Sequence, residues 1–470
     1  MIKNFLIISL LGIALSNALS QPNRSIKISN GLLRTLESKG SANAVISFTE
    51  ETQPILDRVN RMRFETRGHK ITFMKTQLEE LAKESQKNVI SVLKSRSVAS
   101  SLKFQSFWIN NRIIVKGADV ELILNIAEYP EVSEIREEQI LHILDNIKEG
   151  IPTNTSQEEV EWGIERIEAN LAWSLVGGNT GQGVVVANID TGVKYTHEAL
   201  RGNYRTPYGW FDAYHRTPNP NDLDGHGTHT MGTIAGSHGI GVAPGAQWAA
   251  CRGCDEEGCT ETALNGCGEW VICPTLWNTQ QPDCSKAPQI VSNSWGGGSG
   301  NTFYEPVVNA WRAASIIPIF AAGNSGSSCA TANSPGDYET VIGVGATHID
   351  EVIATFSSRG PTYDGRIKPD VSAPGNNVRS SCFDSDTAYC TLSGTSMACP
   401  HVAGAAALLL AKNPDLTFDQ VKDLLQDNAD RELHFAEECG GTYYNYYPNN
   451  IYGFGRINAR RSLTALIESS

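Results

Sequence analysis

A serine hydroxyl attacks a carbonyl efficiently only when a base takes its proton, an acid orients that base and donors hold the oxyanion that forms. Four stretches of this chain carry those residue types. Ser396 lies in GTSMACPHVAGAAALLL, where a glycine turn gives way to a helix that is apolar on most of its faces. His226 lies in DGHGTHTMGTIAG, between two glycines that admit close neighbours and ahead of a small-residue helix. Asp190 comes late in GVVVANIDTGV, a run of β-formers with the composition of a buried parallel strand, and open α/β sheets carry their functional groups at the carboxyl ends of such strands. Asn324 follows the apolar strand of IIPIFAAGNSG and can offer its amide to a developing oxyanion beside the Ser396 N–H. The chemistry these residues share is acyl transfer through a serine ester. Each has a structural reading when taken singly: Asp190 a helix cap, His226 a packed polar residue, Asn324 a turn former, Ser396 an N-cap. Their combination is what points to catalysis.

The order Asp190, His226, Ser396 is the order found in subtilisin, and the surrounding segments resemble the subtilisin-like serine protease family. The likeness includes VEWGIERIEANLAW, GVAPGAQW, SNSWGGGSG, VNAWRAA and IKPDVSAPG, and runs nearly continuously from Glu161 to about Ala465. It implies an α/β fold, a mostly parallel sheet flanked by helices, and peptide-bond hydrolysis with Asp190 orienting His226, His226 moving the Ser396 proton and Asn324 completing the oxyanion hole. It also implies substrate contacts. Ser294, Trp295 and Gly296 match an extended segment that pairs with the substrate backbone as an added strand. The specificity-pocket wall runs from Ala321 through Gly323 to Asn324, with Asn333 near its base, and bulky Trp295 is either a shaped apolar subsite or core filler. Many members hold calcium through an aspartate where this chain has Ala199 and through a loop for which 237–241 is too short, so that site is expected to be missing; no cofactor is required.

The elements that must position these residues are legible in outline. Strand-like runs at 183–190, 289–292, 316–321 and 341–345 alternate with helix-like runs at 261–271, 304–314 and 396–411, as in a sheet covered on both faces. Pro400, one turn after Ser396, is expected to remove only a first-turn hydrogen bond. His229, on the His226 helix face, is assigned to packing. Ahead of this unit, AVISF, long helical stretches over 53–97, paired strands in FQSFWINNRIIVKG, a short helix in ADVELILNIAEY and closing strands in VSEIREEQILHI give a β-α-β-β-α-β order, which is ferredoxin-like. This segment, 21–145, resembles the inhibitory pro-domain of many subtilases, whose tail lies in the substrate groove. A polar, proline-bearing linker over 146–160 is the expected maturation region, and 161–470 the catalytic domain.

Composition narrows the setting. With 38 basic and 51 acidic residues the net charge is −13, which argues against nucleic acid as a partner. Residues 1–20 carry Lys3, an apolar core and small residues before a cut, the pattern of a secretory signal peptide, and no later segment reaches spanning length. The expected product is a secreted monomer acting on proteins or peptides. Eleven cysteines agree with an oxidising destination; Cys399 is the expected free thiol and Cys382 with Cys390 the expected pair. CRGCDEEGC lacks the second tight pair a zinc site needs, so disulfides are expected there. Asn23 and Asn154 head glycosylation sequons. Two other activities stand beside an endopeptidase: a catalytically dead binding relative, and a processing protease for basic sites using acidic residues such as Asp222 and Asp224.

Overall fold

The computed structural model describes residues 27–99, 102–144, 160–432 and 438–469. The signal segment 1–20, Asn23, Asn154 and linker positions 146–159 lie outside them.

The N-terminal unit begins with Ser29, whose hydroxyl accepts the Leu32 N–H and starts α1 (Asn30–Lys39); Gly40, at φ 80°, ends it. Next come β1 (Ser41–Phe48), α2 (Gln53–Arg61), α3 (Arg67–Ala99), β2 (Lys103–Phe107), β3 (Arg112–Asp119), α4 (Val120–Ala127) and β4 (Val132–Glu137). The expected helical stretches over 53–97 are two helices, parted at residues 62–66. The strands form an antiparallel sheet in the order β2-β3-β1-β4, the ferredoxin-like arrangement. Leu32, Leu36, Val89, Leu93, Ile123 and Ile126 cover Ile46, Ile113, Val115 and Ile135 on one face. The expected closing strands part company. β4 completes this sheet, whereas β5 (Ile140–Ile143) leaves it and pairs with the following unit.

That unit opens with α5 (Trp162–Arg166) and α6 (Ala169–Leu175) and then builds β6 (Val185–Asp190), β7 (Trp210–Asp212), α7 (His226–Ala235), β8 (Gln247–Arg252), β9 (Cys259–Thr260) and α8 (Glu261–Ile272). β10 (Ile290–Asn293), β11 (Trp295–Gly296), α9 (Glu305–Ala313), β12 (Ile317–Ala321), β13 (Ile342–Thr347) and β14 (Val371–Pro374) follow, then the hairpin β15 (Val378–Ser381)/β16 (Tyr389–Leu392) and α10 (Thr395–Lys412). Seven strands make one parallel sheet in the order β14-β13-β12-β10-β6-β8-β7. The strand order reverses beside β6, the place where an open α/β sheet leaves a crevice at its carboxyl edge. Asp190 ends that strand.

α10 explains its own sequence: every residue from Thr395 to Leu410 is buried, so a helix apolar all round lies against β10, β12, β13 and β14 with α7 alongside. No helix among the described residues is long and apolar enough to cross a membrane.

Five disulfides join Cys251–Cys267, Cys254–Cys259, Cys273–Cys284, Cys329–Cys439 and Cys382–Cys390. All six cysteines of 251–284 are therefore taken up in pairs. The widest bridge spans 110 residues, and constraining a loop of that length stabilises by roughly 4–5 kcal/mol in chain-entropy terms. Cys399 is free and fully buried, and burial pushes its thiol up to about 11. One thiol per chain should therefore react with a disulfide reagent after denaturation and essentially none before it; rapid native labelling, or more than one thiol after unfolding, would contradict this arrangement.

Candidate active site

Three chain segments meet at the carboxyl edge of the sheet. Asp190, 1 % exposed, accepts from His226 Nδ1 at 2.7 Å and from the Thr191 N–H at 2.8 Å through Oδ1, and from Thr230 Oγ1 at 3.1 Å through Oδ2. A buried carboxylate needs this many donors to remain charged. His226 opens α7, whose N-cap Gly225 sits at φ 101°, a conformation that favours glycine. Gly227 matters for space and not for torsion. A Cβ there would run into the Gly192 carbonyl and the Asp190 side chain, so its absence lets α7 settle onto the strand end.

With Nδ1 donating to Asp190, Nε2 carries the lone pair, the tautomer a base requires. Burial lowers the basicity of His226, but the charge and hydrogen bond of Asp190, with Asp224 and Asp222 beyond, outweigh it and raise the imidazole above its ordinary value. His229 is the opposite case. It is buried, its Nε2 donates to the Val378 and Cys390 carbonyls at 3.0 and 3.2 Å, and burial drives its value down to about 3, so it is a neutral packed residue.

Ser396 is the second residue of α10 and fully buried. Its hydroxyl donates to the Ser294 carbonyl at 3.4 Å, and the Ser294 hydroxyl donates back to the Ser396 carbonyl at 3.1 Å. The Ser396 carbonyl is available because the residue four positions on is Pro400, which has no N–H to give it. Pro400 therefore removes more than a spare first-turn bond, which corrects the sequence expectation: it releases the acceptor that ties α10 to Ser294. Ser396 Oγ bonds Ser294 in this conformer, and His226 Nε2 makes no hydrogen bond among the described residues.

Asn324 follows β12. Its Oδ1 accepts from the Thr395 N–H at 2.9 Å and the Thr395 hydroxyl at 2.8 Å, which orients the amide's NH2 end away from that turn. Gly323, at φ 112°, donates its N–H to Thr395 Oγ1 at 3.3 Å and stands where a side chain would collide with the Asn333 amide. Asn333 lines the same cleft, with its Nδ2 on the Gly298 carbonyl at 3.2 Å.

The cleft, about 460 Å³, is bordered by Thr191, Asp224, Gly296–Gly298, Asn324 and Asn333 on one side of the molecule and by His142, Ile143 and Leu144 of the N-terminal unit. β5 forms one wall of it as a strand, antiparallel to β11 with Trp295 opposite Ile143 and Gly296 opposite His142, and antiparallel to β9 with Ile140 opposite Thr260. Of the two readings of the Trp295 side chain, core filler is the one that fits. Its backbone pairs with the tail, but its indole is fully buried, edge-on to Tyr304 and Phe320 at 5.2 Å, and so fills the core and forms no subsite.

Asp222 is also taken up internally. It accepts from Thr191 Oγ1 and from the Gly225 and Thr228 N–H groups at 2.9 Å each, pinning the start of α7, and only Asp224 of the two reaches the cleft. Thr191, Thr230 and Asp222 have supporting roles that sequence reasoning alone misses; the threonine of DTG and the first aspartate and last threonine of DLDGHGTHT are the signal that could have found them. Among the described residues no group of three or more His, Cys, Asp or Glu is placed to hold a metal. Ala199 packs with Ile240 and Tyr389 in an apolar cluster.

The model of the Subtilase family of peptidases matches residues 181–455, more than half of the chain and all of the segments that carry Asp190, His226, Asn324 and Ser396. The chain belongs to that family. This subtilase is 34 % identical to Bacillopeptidase F of Bacillus subtilis over 94 % of its own length and 32 % of that protein's, so it spans about a third of that relative. It is 38 % identical to the Serine protease AprX of Bacillus subtilis over 60 % of its length and 67 % of that protein's, and 34 % identical to Subtilisin BL of Lederbergia lenta over 64 % and 98 %. The likeness to Bacillopeptidase F reaches through the N-terminal unit as well as the sheet domain.

The electrostatics of the Asp190–His226 pair have a measurable consequence. In Ser396→Ala protein, NMR titration should find the His226 imidazole protonated until the pH rises above the ordinary value of 6.5, and a midpoint below 6.5 would show that burial outweighs Asp190.

Proposed function

We propose that this subtilase is a secreted serine endopeptidase made as a zymogen, which cuts peptide bonds through an ester on Ser396. The observation that carries the reading is the 2.7 Å Asp190–His226 hydrogen bond, set behind the Thr191 and Asp224 wall of a cleft along which a strand of the same chain pairs with β11 as a peptide substrate would.

In this reading the Ser396 side chain turns from the Ser294 carbonyl to His226 Nε2, which takes the hydroxyl proton as Oγ adds to the scissile carbonyl. The Ser396 N–H and the Asn324 amide hold the oxyanion, and Asp190 stabilises the imidazolium. Collapse of the tetrahedral intermediate breaks the C–N bond, with His226 passing its proton to the leaving amine. Water, deprotonated by the same imidazole, then hydrolyses the ester. The base must be neutral to start, so kcat/KM falls as pH drops through the raised His226 value. No cofactor enters these steps, and the Ala199–Ile240–Tyr389 cluster favours a fold without the calcium site for which that position is known in relatives.

The N-terminal unit acts as the enzyme's own inhibitor and folding partner until it is cut off. Its grip on the catalytic unit supports this. Arg136 makes a bidentate pair with Glu261 at 2.6 and 2.7 Å, Glu269 accepts the Trp108 and Ile109 N–H groups at 2.6 and 3.3 Å, and Arg67 donates to the Ala287 and Ala314 carbonyls at 2.8 and 3.0 Å. Export as a monomer, with glycan on Asn23 and Asn154, completes the reading and is supported by the leader pattern and the five disulfides.

A fluorophosphonate should label the processed enzyme on Ser396 and leave Ser396→Ala unlabelled; labelling of that variant would sink the assignment. Asn324→Ala should lower kcat by about 10²–10³, the magnitude established for such a donor in subtilisin itself, with little change in KM. Arg136→Ala should weaken inhibition by the excised N-terminal unit on the order of 10²-fold, since it strips a buried charged partner from the interface. An inhibition constant equal to that of the unaltered unit would remove this pair from the account of latency.

A further inference from the structure

The β5 strand does not end at the residues that flank the nucleophile. Continuing its register against β11 by one step places Leu144 opposite Ser294, whose carbonyl holds the Ser396 hydroxyl. Leu144 is therefore the residue at the acyl position. Counting back along the strand, Leu141 is fourth and buried, Ile140 is fifth and Gln139 is sixth.

The contacts on the other flank continue as far as that sixth residue. The ladder Leu141–Cys259 and Ile140–Thr260 extends in register to Gln139 and Glu261, and the Glu261 N–H donates to the Gln139 carbonyl at 3.2 Å. Here the side chain takes over from the backbone: Glu261 Oε2 accepts the Gln139 N–H at 3.0 Å. The Gln139 side chain is held from across the cleft, where Asn301 Nδ2 donates to its Oε1 at 2.5 Å. Glu261 is the first residue of α8, directly after the strand that borders the substrate, and its side chain is fully buried beneath the N-terminal unit. Its other partners, the guanidinium of Arg136 at 2.6 Å and that of Arg112 at 3.9 Å, both belong to the N-terminal unit and leave with it.

We infer that Glu261 and Asn301 form a sixth acyl-side subsite, so that the processed enzyme reads extended polypeptide over six residues, with the Glu261 carboxylate holding the backbone N–H of the sixth and the Asn301 amide its side chain. The inference rests on the proposed endopeptidase reading and on β5 lying as a substrate lies. The ligand class it names is an unfolded or extended segment long enough to span Ser294 to Glu261. A side chain with an acceptor, such as glutamine, suits the sixth position, because Asn301 offers a donor there. Glu261 is a positioning residue, remote from the reacting atoms.

The test uses enzyme matured from the full chain and freed of its N-terminal unit. Two acetylated, internally quenched peptides are compared, one with Gln-Ile-Leu-His-Ile-Leu on the acyl side and one lacking the glutamine; only the first presents the sixth N–H. Hydrolysis of the shorter peptide reports on the endopeptidase reading, and the ratio of kcat/KM between the two reports on the inference. A hydrogen bond from a backbone N–H to a carboxylate supports a gain of about tenfold for the longer peptide. Glu261→Ala should bring the ratio close to one and Glu261→Gln should restore part of it, since the amide oxygen still accepts; N-methylation of the sixth residue should abolish the gain in the unaltered enzyme. Equal kcat/KM for the two peptides, a gain that survives Glu261→Ala, or cleavage at a bond other than the one after the last leucine would overturn the inference.

Discussion

A carboxylate kept dry at the end of a central strand has to be saturated with donors, and this single requirement organises the region around Asp190. Its partners come from three directions: the next residue's N–H, a threonine hydroxyl one turn into α7 and the imidazole at the head of that helix. For these to arrive together, α7 must touch the strand end, which demands Gly227, and must start at a fixed place, which Gly225 and Asp222 enforce. The His226 imidazole is thus located by the hydrogen-bond needs of the Asp190 carboxylate, and the carboxylate stays charged because the imidazole and its neighbours meet those needs. An unpaired carboxylate at this depth costs several kcal/mol, far more than any one of the surrounding contacts contributes.

Much of this was readable in the residues. Asp190, His226, Asn324 and Ser396 sit in glycine-rich turns at the ends of apolar runs, and a parallel sheet brings such ends to one edge, so their convergence follows from the pattern of alternation. The free Cys399 followed from an odd count and a buried helix, and the Cys382–Cys390 pair from the short loop between the two, whereas the other four pairings depend on which strands and loops the fold brings together. The ferredoxin-like order of the N-terminal unit followed from strand and helix periodicity.

Other features were not legible because they depend on what lies opposite. ILHI has the alternation of a strand but nothing in it says that its partners are Trp295–Gly296 and Cys259–Thr260 in another unit and not the sheet it was synthesised beside. Trp295 and Asp222 were residues whose chemistry suits a cleft and whose surroundings put them elsewhere, the indole into an aromatic cluster and the carboxylate onto helix N–H groups. QWAACR, the strand β8, is short and leads into a cysteine loop, so only its parallel pairing with β6 and β7 reveals it.

Pro400 sets two ordinary goals of protein engineering against each other. Replacing it with alanine would favour the helix by about 3 kcal/mol in intrinsic terms, and by that measure the position looks like an easy gain. The new amide would aim its proton at the Ser396 carbonyl, in competition with the Ser294 hydroxyl that now uses it. Rigidity gained along α10 would thus be taken from the seam between Ser396 and Ser294, so that a heat-tolerant variant made this way would loosen the reciprocal hydrogen bonds that join the head of α10 to the end of β10.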